Sequence, residues 1–378
     1  MRYKLGDLVE LVTEKNSALK YGLNDIIGVT LEKQMIPTIA NLSQTDLADF
    51  TIVRPGDFVY NPRTHGKKIG LGFNTSERCF IASWNNNTFR VKSQMRDTVL
   101  PEFLYLHFLR DRWDREACFN AWGSSTIVLL WGSFCDMSIP VPPFEEQRKI
   151  VHDYQVITDR IALLRKMNEN LEEQIMTLYH QTFDAEGVCN EGTVFELGKV
   201  VGGATPSTEV SEYFCDNGIV WLSPKDLTST GLKFISRGET DITQAGYNSC
   251  STQIMPAGTV LLTSRAPVGT VAIADTNLCT NQGFKSIVPK LPHWTAYIYC
   301  LLKDKKQLIE ANASGTTFLE ISGETLKNLR IPIPNDNLVK DFSQRCAALF
   351  GQQKLFEQEL VLLKSLASVR VSTIAKGA

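Results

Sequence analysis

The chain carries one signal twice. Ile139-Pro-Val-Pro142 returns as Ile331-Pro-Ile-Pro334, 192 residues later, and each copy opens a long amphipathic run. Leu5-Gly-Asp7 matches Leu197-Gly-Lys199, and Gly123-Ser-Ser125 matches Gly315-Thr-Thr317, both at the same offset. Pro55-Gly-Asp57 aligns with Ala257-Gly-Thr259 at 202, so the two halves have middles of different length. Solenoid repeats have periods of about 20–50 residues, so this spacing predicts a duplicated domain. A chain of 378 residues has room for two such domains and their connectors.

The amphipathic runs obey a heptad rule. From Ile150 the apolar positions step by four and three through Tyr154, Ile157, Ile161, Leu164, Asn168, Leu171, Ile175, Leu178 and Thr182. The second run keeps the phase: Phe342, Cys346, Leu349, Gln353, Phe356, Leu360, Leu363, Ala367. That is a coiled-coil seam with one polar interruption in each copy, Asn168 and Gln353. About 30 residues span roughly 45 Å of helix. Such a stripe needs a partner, and each run is the other's most economical one. The fold predicted is α+β: two homologous globular domains separated by a pair of long helices in an antiparallel coiled coil, with pseudo-two-fold symmetry. Its boundaries are 1–140, 141–186 (first helix), 187–332 and 333–378 (second helix).

Residues 1–99 read as short strands and turns, such as Leu8-Val-Glu-Leu-Val12 and Arg54-Pro-Gly-Asp57 feeding Phe58-Val-Tyr60. Residues 61–68 and 83–88 read as polar loops, and residues 126–131 as an apolar tract of strand length. A single helix is expected from Leu100 to about Cys118, with Pro101 at its start and His107 packed on its apolar side. The second half repeats the plan. Gly258-Thr-Val-Leu-Leu-Thr-Ser-Arg-Ala-Pro-Val-Gly269 is a buried strand leading to a basic turn, and Thr280-Asn-Gln-Gly-Phe-Lys-Ser286 mirrors the amide loop around Trp84.

The net charge of −2 gives no sign of a polyanionic partner, but its distribution does. Between Arg54 and Arg96 there are eight basic residues and two acidic ones. Such a patch suits a phosphate backbone, and equally a solvated basic face with no partner. The first helix, from 142 to 186, has five basic and nine acidic residues and is no DNA grip. Nine scattered cysteines without a C-x-x-C pair predict reduced thiols, with no metal site and no disulfide framework. The polar start of the chain and its short apolar runs predict no signal peptide and no membrane span.

Arginine bonds guanine bidentately in the major groove, and asparagine or glutamine bonds adenine. Arg63 and Arg265 occupy matching places at the 202 offset, and each half adds an amide-bearing loop. The candidates for one half-site are Arg63, Lys67, Lys68, Trp84, Asn85, Asn86 and Asn87. Those for the other are Lys225, Arg265, Asn281, Gln282 and Lys285.

With these motifs the chain resembles the specificity subunit of a type I restriction-modification system over essentially its whole length. The resemblance rests on Gly203-Ala-Thr-Pro-Ser207, Trp221-Leu-Ser-Pro-Lys-Asp226, Ser264-Arg-Ala-Pro-Val-Gly269 and Asn281-Gln-Gly-Phe-Lys285, and on the Ile-Pro-x-Pro junctions. Pro142-Pro-Phe-Glu-Glu-Gln147 is similar to the family's Pro-Pro-x-x-Glu-Gln signature; Pro334-Asn-Asp-Asn-Leu338 departs from it. The resemblance implies two target-recognition domains, each reading half of a split site in double-stranded DNA. The helices would set the spacing and dock two modification (methyltransferase) subunits, with restriction (translocase/nuclease) subunits joining the complex. It further implies a non-catalytic chain in a prokaryotic cytoplasm, with S-adenosylmethionine and ATP/Mg held by partner subunits.

Three other readings compete. Asn61-Pro-Arg-Thr64 lacks the second proline and the aromatic of an adenine-methyltransferase motif, and no glycine-rich cofactor loop follows a strand. No Asp/Glu-x-Lys constellation suggests a nuclease. A two-domain coiled-coil scaffold for proteins fits the composition, but not the amide loops or the basic patch.

Overall fold

A computed structural model describes residues 1–38, 45–123, 127–185, 188–265, 267–315 and 319–374. Within the Gly-Ser-Ser and Gly-Thr-Thr anchors only the glycines are described. Thr126, the boundary placed at 186/187, Ala266 and the last four residues also lie outside the described residues. The chain forms two compact units, Met1–Ile161 with Leu363–Ala378, and Ala162–Leu362. Both are α+β, and both long helices contribute to each.

In the first unit a four-stranded antiparallel sheet has the order Val9–Leu11, Asn87–Val91, Phe58–His65, Lys68–Phe73. A second sheet orders Met35–Pro37, Ile26–Val29, Phe80–Ala82 and Thr51–Val53. Phe58, Phe89, Phe108, Trp113 and Phe134 fill the core without exposure.

Three local expectations need correction. Residues 61–68 are not a loop but most of a hairpin, because a register shift between Tyr60 and Thr64 absorbs Pro62, which has no N–H to give a ladder. The hairpin closes through Gly66 and Lys67, both at positive φ (56° and 65°), the geometry of a two-residue turn that follows strand twist. The helix expected over 100–118 is two, Pro101–Phe108 and Asp111–Phe119, because Arg110 is extended between them. That break lets the rings of Phe108 and Trp113 meet with centroids 4.9 Å apart. Among the described residues of the tract 126–131, Val128 makes isolated bridges to Arg63 and Trp122, and Trp131 begins a helix, Trp131–Asp136.

The second unit has a five-stranded sheet in the order Gly198–Gly202, Lys285–Pro289, Val260–Leu262, Val271–Ala274, Phe234–Ile235. Its core joins the helix Trp294–Asp304 to Ile175, Tyr179 and Phe183 of one long helix and Val339, Phe342 and Cys346 of the other.

Each Ile-Pro-x-Pro copy is a strand that closes its unit. Ser138–Pro140 pairs antiparallel with Arg2–Lys4, and Arg330–Pro334 pairs antiparallel with Cys189–Thr193. Both pairs are two-stranded ribbons, where proline costs no central ladder bond. The long helices follow at once, Phe144–Phe183 and Asp336–Thr373. The seam positions from Ile150 to Ile175 and from Phe342 to Leu363 are all buried or half-buried. In the second unit Asn168 bonds Glu357 and Glu172 bonds Gln353, so the helices run antiparallel there. Asp153 and Arg370 pair across them in the first unit.

The two copies solve their junction differently. Gln147 is fully buried; its amide accepts from Leu100 N at 2.9 Å and donates to the carbonyls of Thr98 and Pro142, each at 2.8 Å. At the matching position, 192 residues on, stands Val339, also fully buried. There Asp336 accepts instead from Trp294 Nε1 at 2.7 Å and lies 2.8 Å from His293 Nε2. Those two bonds outweigh its desolvation and hold the Asp336 carboxyl below the usual range. Gln147→Leu is expected to cost about 2 kcal/mol, since three backbone groups lose their partner. Urea unfolding of the full chain measures it; an unchanged midpoint would show that the side chain is dispensable.

Candidate nucleic-acid interface

In the first unit the hydrogen-bonded strands place the candidates at one end of a sheet. Tyr60 is opposite Asn87, and beyond that pair one strand runs on through Arg63 to the Gly66–Lys67 turn while the other comes from the turn holding Trp84, Asn85 and Asn86. Arg63, Lys67, Lys68, Trp84 and Asn85 are exposed there. Asn87 is different: it sits in the strand, with its side chain beside the buried Tyr60 hydroxyl.

The basic stretch between Arg54 and Arg96 is not one continuous grip. Arg54 holds Glu14 bidentately at 2.6 and 2.9 Å, Arg90 pairs with buried Asp57 at 2.9 Å, and Arg78 with Asp25 at 3.3 Å. Glu14 and Asp25 lie outside the stretch, so local counting could not see them. Lys92 donates to the Gly6 carbonyl. Among the described residues Arg63, Lys67, Lys68 and Arg96 have no ion pair, and all four are exposed.

In the second unit four of the five candidates converge. Arg265 and Lys285 both approach Glu320, at 3.9 and 3.4 Å. Lys285 also reaches the carbonyl of Gln282, whose side chain takes a hydrogen bond from Thr205 Oγ1. Asn281 uses its Oδ1 to hold Gly283 N at 2.8 Å, so it shapes the loop as well as lining it. Gly203 admits this packing: a Cβ there would sit 2.1 Å from the Thr280 carbonyl and 2.2 Å from that of Asn281. Lys225 stands apart, exposed on the helix Pro224–Thr230 and paired with Glu239 at 2.8 Å. The neighbouring Ser223 and Asp226 serve that helix: the Asp226 carboxylate accepts from Ser223 N and Oγ, both at 2.7 Å.

The two edges share a backbone frame. Leu129 N donates to Pro62 O at 2.8 Å, and Ile321 N donates to Ser264 O at 3.1 Å. Trp122 and Val128 exchange hydrogen bonds in one unit as Ser314 and Glu320 do in the other. Arg63 and Arg265 therefore follow equivalent residues in equivalent frames. Sequence reasoning missed what borders them: exposed Trp122, bridged to Val128, in the first unit and Glu320 in the second. Nothing local in the sequence marks Trp122 as exposed; Glu320 could have been found by carrying the 192 offset past Gly315.

Among the described residues no group of three or more His, Cys, Asp or Glu side chains could hold a metal, and no helix is long and apolar enough to cross a membrane. The family model for the type I restriction modification DNA specificity domain matches residues 1–173 and again 190–344. The MjaIX specificity subunit of Methanocaldococcus jannaschii is 46% identical over 142 residues, 37% of this chain and 33% of that one. A putative MjaX specificity subunit from the same organism is 25% identical over 380 residues, 92% of this chain and 85% of its own. The matches to the first three curated relatives span only 33%, 44% and 34% of those proteins. In fold the chain is similar to the S subunit of a type I restriction-modification system from M. genitalium, with a TM-score of 0.57 and 13% identity over 98% of this chain and 95% of that one.

Proposed function

Because the chain belongs to the family of type I restriction-modification DNA specificity domains, we propose that it is the DNA-reading subunit of such a complex. Each unit reads one half of a bipartite duplex site. The long helices fix the separation of the half-sites and dock two modification subunits. The chain itself is non-catalytic and works in a prokaryotic cytoplasm. S-adenosylmethionine and ATP/Mg belong to the modification and restriction subunits.

The observation that carries this reading is the repeated edge. A duplicated backbone frame presents an arginine at the same place in both units, flanked by different side chains. Two readers with one architecture and different chemistry suit two different half-sites. Phosphate contacts come from the exposed lysines, and base contacts from Arg63, Arg265 and the amides.

The test is selection from a random duplex library by the chain together with its modification subunits. A split motif of fixed spacing should be enriched; a library that returns none overturns the proposal. In the same assay Arg265→Ala should lose about 1–3 kcal/mol of discrimination in the second half-site only. Loss of both half-sites would mean that Arg265 supports the fold.

A further inference from the structure

From the geometry around Arg265 we infer that Glu320 is an internal stand-in for a DNA phosphate, and that it sets the second unit's threshold for binding. The inference rests on the DNA-reading proposal. Its carboxylate lies 3.9 Å from Arg265 Nη1 and 3.4 Å from Lys285 Nζ, and Ser264 Oγ is 3.4 Å away. A guanidinium, an ammonium and a hydroxyl gathered on one oxyanion are what a phosphate oxygen would find. The carboxylate and its two cationic partners are partly open to water.

The bond is loose where others in the protein are tight. Arg54 grips Glu14 with both ends of its fork at 2.6 and 2.9 Å. The contacts to Glu320 are long, so a stronger anion can displace it with little loss. Its backbone, in contrast, is held firmly: Glu320 exchanges hydrogen bonds with Ser314 at 2.9 and 3.0 Å, and Ile321 N holds Ser264 O. The frame keeps the carboxylate at the cations, and the side chain is free to leave.

The first unit supplies the contrast. In its matching frame the residue in the place of Glu320 is Val128, and among the described residues Arg63 has no ion pair. One arginine waits uncovered and the other is covered. The two half-sites are therefore bound on unequal terms: the first unit engages duplex of any sequence more readily. The second must exchange a carboxylate for a phosphate or a base edge, which only a well-fitted site does.

Fluorescence anisotropy with a labelled random-sequence 40-base-pair duplex, and with the duplex enriched by selection, tests this on the full chain with its modification subunits. Glu320→Gln keeps the shape and removes the charge. It should tighten binding of the random duplex about 3- to 10-fold, the size of one unit charge acting across wet surface. The salt dependence should steepen by up to about one ion, and discrimination between the two duplexes should fall. Val128→Glu should do the reverse, weakening the random duplex by a similar factor. Thermal melting of each variant separates charge effects from misfolding. Unchanged or weaker binding by a folded Glu320→Gln protein overturns the inference, as does an effect limited to duplexes with one particular base, which would make Glu320 a base reader. A wild-type complex that binds neither duplex defeats the DNA-reading proposal itself.

Discussion

Replacing Glu172 by Gln should destabilise the second unit by about 3–5 kcal/mol, the cost of stranding a buried charge. The charge stranded is Lys233, nearly fully buried. Its ammonium donates to Glu172 Oε2 at 3.0 Å and to Gln353 Oε1 at 2.8 Å, and lies 3.7 and 4.2 Å from the ring centroids of Phe350 and Tyr299. Burial pushes Lys233 below the ordinary lysine range against the pull of Glu172. Burial alone would raise the Glu172 carboxyl, but Lys233 and Lys303 outweigh it and hold it down at about 2. The sign follows: a carboxyl depressed on folding contributes stability that is complete above its ordinary value of 4.5 and is lost as pH falls from there towards 2. The size is on the order of 3 kcal/mol. Acid unfolding of the wild-type chain should therefore steepen below pH 4.5, and Glu172→Gln should flatten that limb while lowering stability at neutral pH. An acid limb unchanged in the variant would rule out Glu172 as its source. Lys233→Met combined with Glu172→Leu should be milder than either alone, because the buried pair is removed as a unit and Lys303, the other cation of Glu172, is exposed to water.

This network explains the polar breaks in the heptads. Asn168 and Gln353 read as interruptions, and a lone buried asparagine suggests register control. Their partners could not be read, because Lys233, just before the strand Phe234–Ile235, is 120 residues from Gln353, and Glu357 is 189 residues from Asn168. Glu357 completes the clamp, accepting from Lys233 N at 2.8 Å and Phe234 N at 2.9 Å. The interruptions are the points where the five-stranded sheet of the second unit is fastened to the helices. Heptads were legible because seam burial depends on neighbours three and four residues away. The fastening was not, because it is a long-range match of charge.

The same division runs through the candidate interface. Arg63 and Arg265 were legible from a repeat, and the backbone frame confirms their equivalence. What their surroundings do was hidden. Glu14 and Asp25 consume part of a patch that counted as basic, and Glu320 lies over the cations of the second edge. Residues 61–68 misled for a local reason: Pro62 and Gly66 signal a loop, yet a bulge and a two-residue turn let both sit in a hairpin.

Asp114→Ala should cost the first unit about 3–5 kcal/mol, again by orphaning a buried lysine. Asp114 Oδ1 accepts from Lys33 Nζ at 2.6 Å and from Ile69 N at 3.1 Å, with both side chains nearly free of solvent. Lys33 also donates to the Ile69 carbonyl and stands 5.1 Å from the Trp113 ring centroid. Its backbone is in the left-handed region, φ 64°, in the turn between the strands Ile26–Val29 and Met35–Pro37. A non-glycine residue is costly there, so the ammonium holds a turn that the backbone disfavours. That turn is fixed to the helix Asp111–Phe119 by the Lys33 side chain and to the helix Pro101–Phe108 by Tyr105 Oη, which donates to the Lys33 carbonyl at 2.9 Å. Lys33→Met should lose a comparable amount, and the double variant should recover part of it, a coupling of more than about 1 kcal/mol in a double-mutant cycle. Urea unfolding of the four proteins reads the cycle. Additive losses would mean that the pair contributes packing and no charge coupling, and that the turn is held by Tyr105 alone.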